Sequence, residues 1–260
     1  MIKKFGFQAY TIRDLMQTPE GINDAFGKMK ALGYDEVQTA GMRCVTPEEY
    51  AKIAHDNGIK IIGTHENFDN MRADPEAAMA MHRVLGTTNI GVGGMPMDAR
   101  ENADTCRRFC EQANKFAEII AKEGFKFTYH NHYFEFVRVD GNKTMMDIMF
   151  EEFDPKNISF CLDCAWVQNA GADVRYWIEK LEGRVDILHI KDVYWKKDNP
   201  KDYLMPASIG DGNMYWKGIV DSAEKVNVKY YIVEQDNNFI DGDPIKAAAR
   251  SAKYIKENLM

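Results

Sequence analysis

The sequence predicts an α/β protein folded as a single closed (β/α)8 barrel, the TIM-barrel form, and three observations carry that expectation. Short β-rich runs alternate with longer amphipathic stretches from one end of the chain to the other, and eight such pairs can be counted. Spread over 260 residues they make units of about 30 residues each, the size that a (β/α)8 barrel uses. No linker or composition shift interrupts the series, so one domain over 1–260 is expected.

In chain order the strand runs are Phe5 to Thr11, Glu36 to Ala40, Lys60 to His65, Asn89 to Gly93, Phe125 to His132, Ile158 to Cys164, Val185 to Lys191 and Tyr230 to Gln235. A helix-like stretch follows each. Two helix starts are well marked: Thr46-Pro47-Glu48-Glu49 places a cap, a first-turn proline and two carboxylates at the positive end of a helix dipole, and Asp243-Pro244 repeats the pattern. Helix ends are marked by Leu32-Gly33, Asn57-Gly58, Glu123-Gly124 and Glu182-Gly183, each offering a left-handed glycine just before a strand. An open doubly wound sheet is the alternative. Against it, the turn from Tyr10 to Thr18 has no Gly-x-Gly-x-x-Gly loop, and Gly91-Val92-Gly93-Gly94 leads into Met95-Pro96-Met97 rather than a helix. That glycine cluster reads as a close-packed strand end.

Composition narrows the function. With 45% hydrophobic and 28% charged residues the chain is globular rather than disordered or fibrous. Its net charge of −7 repels phosphate backbones and anionic lipid heads, which excludes nucleic acid and membrane surfaces as expected partners. No apolar run approaches the length of a membrane span. Met1-Ile2-Lys3-Lys4 soon meets Gln8, Arg13 and Asp14 without a secretory apolar core, and the five dispersed cysteines fit a reducing compartment, so a cytoplasmic location is expected.

In a barrel the chemistry sits at the carboxyl ends of the strands. Those ends hold His65 and Glu66 on strand 3, His130, His132 and Glu135 on strand 5, Asp163 on strand 6, His189, Lys191 and Asp192 on strand 7, and Glu234 and Asp236 on strand 8. Four of the six histidines fall there. Strands 6, 7 and 8 each run as an apolar stretch into a metal-competent side chain: Asp163, His189 and Glu234. Neighbouring strands bring these within coordination distance, and one imidazole with two or three carboxylates suits an open site for one divalent ion such as Mn²⁺, Mg²⁺, Co²⁺ or Zn²⁺. A lone Asp or His at a strand end is usually a satisfied polar group; four neighbouring strands ending this way need a counter-ion. The fourth ligand is expected from strand 5, where His130, His132 and Glu135 all remain open.

Other motifs are structural or absent. Cys161-Leu-Asp-Cys164 is a lone C-x-x-C within a strand, and Cys106 and Cys110 lie one helical turn apart; both pairs read as core packing. There is no Gly-x-Ser-x-Gly elbow and no Walker loop.

Gln8-Ala-Tyr-Thr-Ile-Arg-Asp14, Tyr129-His-Asn-His-Tyr-Phe-Glu-Phe136, Leu162-Asp-Cys-Ala-Trp166, Leu188-His-Ile-Lys-Asp192 and Val233-Glu234 resemble the sugar phosphate isomerase/epimerase family, part of the xylose-isomerase-like barrel superfamily. The resemblance covers essentially the whole chain. It implies one divalent metal, often Mn²⁺, at Asp163, His189, Glu234 and a strand 5 ligand, with Glu135 the carboxylate available there, and action on a keto-sugar or inosose. His130 stands where the epimerase pattern usually has a Glu. The superfamily also holds dehydratases, lyases acting on 3-oxo-glycosides, and apurinic-site endonucleases; Trp166 replaces a histidine expected of the endonucleases, and the net charge argues the same way.

The chemistry these residues suit is proton abstraction next to a carbonyl, giving an enediolate. His132, His130 and Glu234 are the expected proton-transfer groups, with Lys191 holding a substrate oxygen or else tied in a salt bridge. His65, Glu66 and Trp166 are expected substrate contacts. The stretch from Val193 to Met214, with Trp195, Lys196, Lys197, Pro200 and Tyr203, is long enough for a lid or partner surface, and a homo-oligomer is compatible with it. The leading expectation is a metal-dependent isomerase or epimerase of a small-molecule sugar. A β-eliminating lyase or dehydratase on a 3-oxo-sugar comes second, and a non-catalytic sugar-binding subunit is the alternative of another class. Without a phosphate loop or arginine cluster, an unphosphorylated substrate is expected.

Overall fold

The structure is a computed structural model that describes residues 1–41, 44–197 and 204–260. Eight parallel strands form the barrel: β1 (Gly6–Gln8), β2 (Glu36–Gln38), β3 (Lys60–Gly63), β4 (Asn89–Val92), β5 (Lys126–His130), β6 (Ile158–Asp163), β7 (Val185–Ile190) and β8 (Tyr230–Val233). Their order around the sheet is β3-β2-β1-β8-β7-β6-β5-β4. At the remaining seam, between β3 and β4, the ladder gives way to single bridges: Asn89 donates its amide to the Ile62 carbonyl at 2.7 Å, and the Glu66 N–H donates to the Gly91 carbonyl at 2.9 Å. Gly91 is required at this seam because a side chain there would strike the Thr64 carbonyl. The barrel is nearly closed.

The strands stop short of the runs read from the sequence. Thr11, Ala40, His65, Gly93, His132, Cys164, Lys191 and Gln235 all lie just beyond them. Past the last laddered residue the regular pairing breaks up at the barrel rim into single backbone bonds, such as the His65 N–H to the Thr39 carbonyl at 2.9 Å and the Glu234 N–H to the Ile190 carbonyl at 3.4 Å. Of the residues just beyond the strands, Ala40, His65, Gly93, His132 and Lys191 line the site.

Helices wrap the outside: α1 (Pro19–Ala31), α2 (Pro47–Asp56), α3 (Phe68–Ala73), α4 (Pro75–Leu85), α5 (Ala103–Ala121), α6 (Met145–Glu152), α7 (Cys164–Asn169), α8 (Val174–Lys180), α9 (Trp216–Lys225) and α10 (Pro244–Asn258). Helix α2 starts with the expected reciprocal cap, Thr46 Oγ1 accepting from the Glu49 N–H and Glu49 accepting from the Thr46 N–H. Such a cap contributes about 1 kcal/mol. Asp243 caps α10 one way, its carboxylate accepting from the Ile245 and Lys246 N–H groups, and Gly33, Gly58, Gly124 and Gly183 all take the left-handed conformation. No helix among the described residues is long and apolar enough to cross a membrane.

The main core lies between sheet and helices, where aromatic rings meet edge to face: Phe7 with Phe26 at 5.5 Å, and Phe68 with Phe109 at 5.0 Å. A second, small core fills the barrel itself, made by Ile62, Cys161, Ile187 and Ile232. Register turns that layer into a platform. Cys161 pairs with Ile187 and His130, and Ile232 pairs with His189. Two residues further along β6, β7 and β8, the same inward face therefore presents Asp163, His189 and Glu234. The Cys161-x-x-Cys164 pair is core packing, as expected: both thiols are free and buried.

Past β7, Asp192–Tyr194 pairs antiparallel with Met205–Ala207, so the long stretch after Val193 begins and ends as a hairpin rising from the rim. Pro200 and Tyr203 lie outside the described residues.

Candidate metal centre and active site

Four buried side chains converge at the carboxyl end of the barrel: His130, Asp163, His189 and Glu234 each direct one donor atom into a group whose members all lie within 4.8 Å of one another. Asp163 Oδ2 lies 3.4 Å from His130 Nε2 and 3.7 Å from His189 Nδ1, and His189 Nδ1 lies 3.0 Å from Glu234 Oε2. Most of the other polar atoms of these groups are already held. Asp163 Oδ1 caps α7 by accepting from the Trp166 N–H at 2.9 Å, the Asp163 N–H donates to Asn131 Oδ1 at 2.9 Å, and His130 Nδ1 donates to the Gly93 carbonyl at 3.2 Å. Each imidazole has its far nitrogen tied to an oxygen acceptor, His189 Nε2 to Gln38 Oε1 at 2.5 Å, and its near nitrogen turned to the carboxylates. Metal-binding histidines are held in this way, so the donor set of two imidazoles and two carboxylates fits a divalent ion.

The structure brings His130 to this cluster and leaves Glu135 out of it. Phe134–Phe136 forms a single tight turn that swings the Glu135 carboxylate back beneath the rim. There it accepts from the Tyr129 hydroxyl at 2.6 Å and from the His132 N–H at 2.8 Å, so both of its oxygens are in use. Burial pushes its carboxyl up to about 7, although those two donors and Arg100 pull the other way.

Lys191 is 2% exposed and closes one side of the cluster. Its Nζ lies 2.7 Å from Asp236 Oδ2, 3.4 Å from Glu234 Oε2 and 3.7 Å from Asp163 Oδ2, with the Trp166 ring 4.6 Å away across it. Burial alone would favour neutral forms. The opposing charges win: Lys191 is raised above its ordinary value by Glu234, Asp163 and Asp236, while Asp163 and Glu234 are held well below theirs by Lys191 and the histidines. The two readings of Lys191 thus coexist, a salt bridge that also faces the cavity.

A cavity of about 450 Å³ opens above the cluster, lined by Tyr10, His65, His130, His132, Trp166, Lys191, Glu234, Asp236 and Asn237 among others. A second, more apolar cavity of about 550 Å³ shares Trp166, Lys191, Asp236 and Asn237 with it and continues past Tyr133, Val193, Leu204 and Pro206. His132 stacks on Phe134 with ring centres 5.2 Å apart and leans on Trp166 at 5.4 Å; its Nδ1 has no hydrogen-bond partner among the described residues. Burial, followed by the positive field of His130, lowers its pKa to about 3, so the ring is neutral. His65 is kept neutral in the same way by burial and by His130 and His189.

Of the expected substrate contacts, His65, Trp166 and Lys191 line the cavity. Glu66 does not line it; one of its carboxylate oxygens is buried without a hydrogen-bond partner among the described residues, and burial pushes its carboxyl up to about 7. Asp192 is structural, accepting from the Trp216 indole N–H at 2.8 Å and from the Gly210, Gly212 and Met214 backbone N–H groups. Sequence reasoning missed Gln8 and Gln38, whose amides lie under the histidines; the available signal was a glutamine at the carboxyl end of each of the first two strands, where the site residues of the other strands also stand.

Fold and cluster together define a (β/α)8 barrel with a metal-competent site at the carboxyl ends of its strands. The chain belongs to the xylose isomerase-like TIM barrel family, whose model matches residues 26–258. It is similar to an inosose dehydratase of Lactiplantibacillus plantarum, 26% identical over 163 residues, which is 58% of this chain and 53% of that protein. The chain spans about half the length of the curated relatives it matches. A sugar phosphate isomerase/epimerase structure from Parabacteroides distasonis is 25% identical with a TM-score of 0.83, covering 98% of both chains. An L-ribulose 3-epimerase structure shares the fold at 16% identity and TM-score 0.72, over 99% of this chain and 95% of that one.

Proposed function

We propose that the protein is a divalent-metal-dependent isomerase or epimerase of a keto-sugar or related polyol, working by proton abstraction next to a carbonyl. The observation that carries this reading is the four-residue cluster beside a neutral, unpartnered His132 and a buried Lys191. His130, Asp163, His189 and Glu234 would hold the ion, and mixed imidazole and carboxylate donors suit a divalent ion such as Mn²⁺, Mg²⁺, Co²⁺ or Zn²⁺, of which Mn²⁺ is the one proposed. When bound, it supplies Lewis-acid polarisation of a substrate carbonyl.

The chain's own residues do the rest. His132, neutral and on the cavity wall, accepts the α-proton; the electron pair of that C–H bond becomes the C=C bond of the enediolate, and the carbonyl π pair moves onto oxygen. Lys191 places a fixed positive charge beside the growing negative charge. Trp166 offers a face to the apolar side of a sugar ring. Delivery of a proton from cavity water to the opposite face of the same carbon yields an epimer, and delivery of the His132 proton to the neighbouring carbon yields an isomer. Similarity to the sugar phosphate isomerase/epimerase and the L-ribulose 3-epimerase supports this class.

The second reading is β-elimination from the same enediolate, with loss of water or of a sugar substituent from a 3-oxo-sugar. Two observations favour it: the similarity to inosose dehydratase, and the apolar cavity that continues from the polar one and could take a substituent carried by the sugar. Incubation of Mn²⁺-loaded protein with keto-sugars and inososes in D₂O tests both. Deuterium at the α-carbon of an otherwise intact sugar supports the first reading, and a product lacking water or a substituent supports the second. No exchange and no product across the panel contradicts both.

A further inference from the structure

Two fully buried glutamines at the carboxyl ends of β1 and β2, Gln8 and Gln38, take no part in the chemistry above. Their donors and acceptors follow from one fixed point. The Tyr10 backbone N–H can only donate, and it faces Gln8 Oε1 at 3.3 Å, so the opposite end of that amide is its NH₂. This NH₂ lies 3.2 Å from Gln38 Oε1 and 3.3 Å from His65 Nδ1, so both of those atoms accept. The Gln38 NH₂ is then directed to the Cys161 sulfur, 3.9 Å away.

The polarity passes on to two imidazoles. Gln38 Oε1 lies 2.5 Å from His189 Nε2, and an amide oxygen accepts, so His189 carries a proton on Nε2 and has Nδ1 turned to Glu234 and Asp163. His65, whose Nδ1 accepts from Gln8, carries its proton on Nε2, which is buried beside the cavity with no partner among the described residues.

We propose that Gln8 and Gln38 are positioning residues: a hydrogen-bond relay anchored on the Tyr10 backbone amide fixes the proton on Nε2 of both His65 and His189. One ring then offers Nδ1 as a metal ligand, and the other offers an N–H donor to a substrate oxygen. The His189 half rests on the metal reading above, whereas the His65 half stands without it.

The relay gives the same substitution opposite effects at its two positions. Gln38→Glu keeps an oxygen acceptor for His189, whereas Gln8→Glu removes the NH₂ that donates to His65 Nδ1 and leaves that nitrogen facing an acceptor. The test uses ¹⁵N NMR of the histidine rings in the metal-free protein, together with Mn²⁺ titration followed by EPR, on folded wild type, Gln8→Glu, Gln38→Glu and Gln38→Leu. Expected are an Nε2–H His65 in wild type and Gln38→Glu, a shift of that proton to Nδ1 in Gln8→Glu, and Mn²⁺ affinity weakened about 10–100-fold by Gln38→Leu but largely restored by Gln38→Glu. An unchanged His65 tautomer in Gln8→Glu overturns the His65 half. Equal weakening of Mn²⁺ binding by both Gln38 variants overturns the His189 half. A wild type that binds no Mn²⁺ removes the metal reading with the His189 half and leaves the His65 result to stand by itself.

Discussion

Asp163 and His189 are register partners on adjacent strands, and their facing atoms, Oδ2 and Nδ1, lie 3.7 Å apart at the top of a layer made by Cys161, Ile187 and Ile232. The pairing of β6 with β7 thus fixes the heart of the site before any ligand arrives. Two ionisable groups placed this way on rigid strands cost the fold stability unless something offsets their charge, and Lys191 does so on one side only.

Lys191→Met should leave the four ligand groups in place and remove the charge beside the forming enediolate. Turnover is expected to fall about 100-fold or more with metal content unchanged, measured by steady-state kinetics alongside metal analysis. Loss of bound metal in this variant would instead make Lys191 a support of the cluster.

Trp166→Ala removes the wall common to the two cavities. An increase of about tenfold in KM, equivalent to about 1.4 kcal/mol of binding, is expected, with metal content retained. An unchanged KM would show that substrate does not lie against the indole.

Glu135→Gln separates the two strand 5 candidates. The variant keeps a ligand set built on His130 and should bind metal as the wild type does, while weakened contacts to Tyr129 and the His132 N–H lower stability by about 1–3 kcal/mol in chemical denaturation.

Glu66 supplies a pH signature that does not depend on metal. Burial raises its carboxyl from about 4.5 to about 7, so between those values the folded protein holds more protons than the unfolded chain and stability falls as pH rises. Glu66→Gln should remove that fall. Metal-free variant and wild type should differ by about 2 kcal/mol more at pH 8 than at pH 5, after allowance for the group's partial exposure. An equal difference at both values would mean that the carboxyl titrates normally.

The barrel and three of its four cluster residues were legible because a strand buried on both faces is apolar until it reaches the rim, so Asp163, His189 and Glu234 stand out as the first charges after apolar runs. Strand 5 was not, since its polar residues continue for several positions past the ladder, and only the turn at Phe134–Phe136 decides that Glu135 points back to Tyr129 while His130 stays on the inner face. Glu66 was misplaced for a related reason: it follows His65 immediately, and adjacent residues leave an extended chain on opposite sides. Gln8 and Gln38 carry no charge, and although Gln8 opens a family-like block, their role emerges only when the strands bring them under His65 and His189.

The most direct test of the central claim is metal content per chain, by mass spectrometry, for protein incubated with Mn²⁺ and freed of excess, in the wild type, Asp163→Ala and His132→Ala. The account expects one ion per chain in the wild type, none in Asp163→Ala and one in His132→Ala. A wild type without metal, or Asp163→Ala that keeps it, would contradict the account.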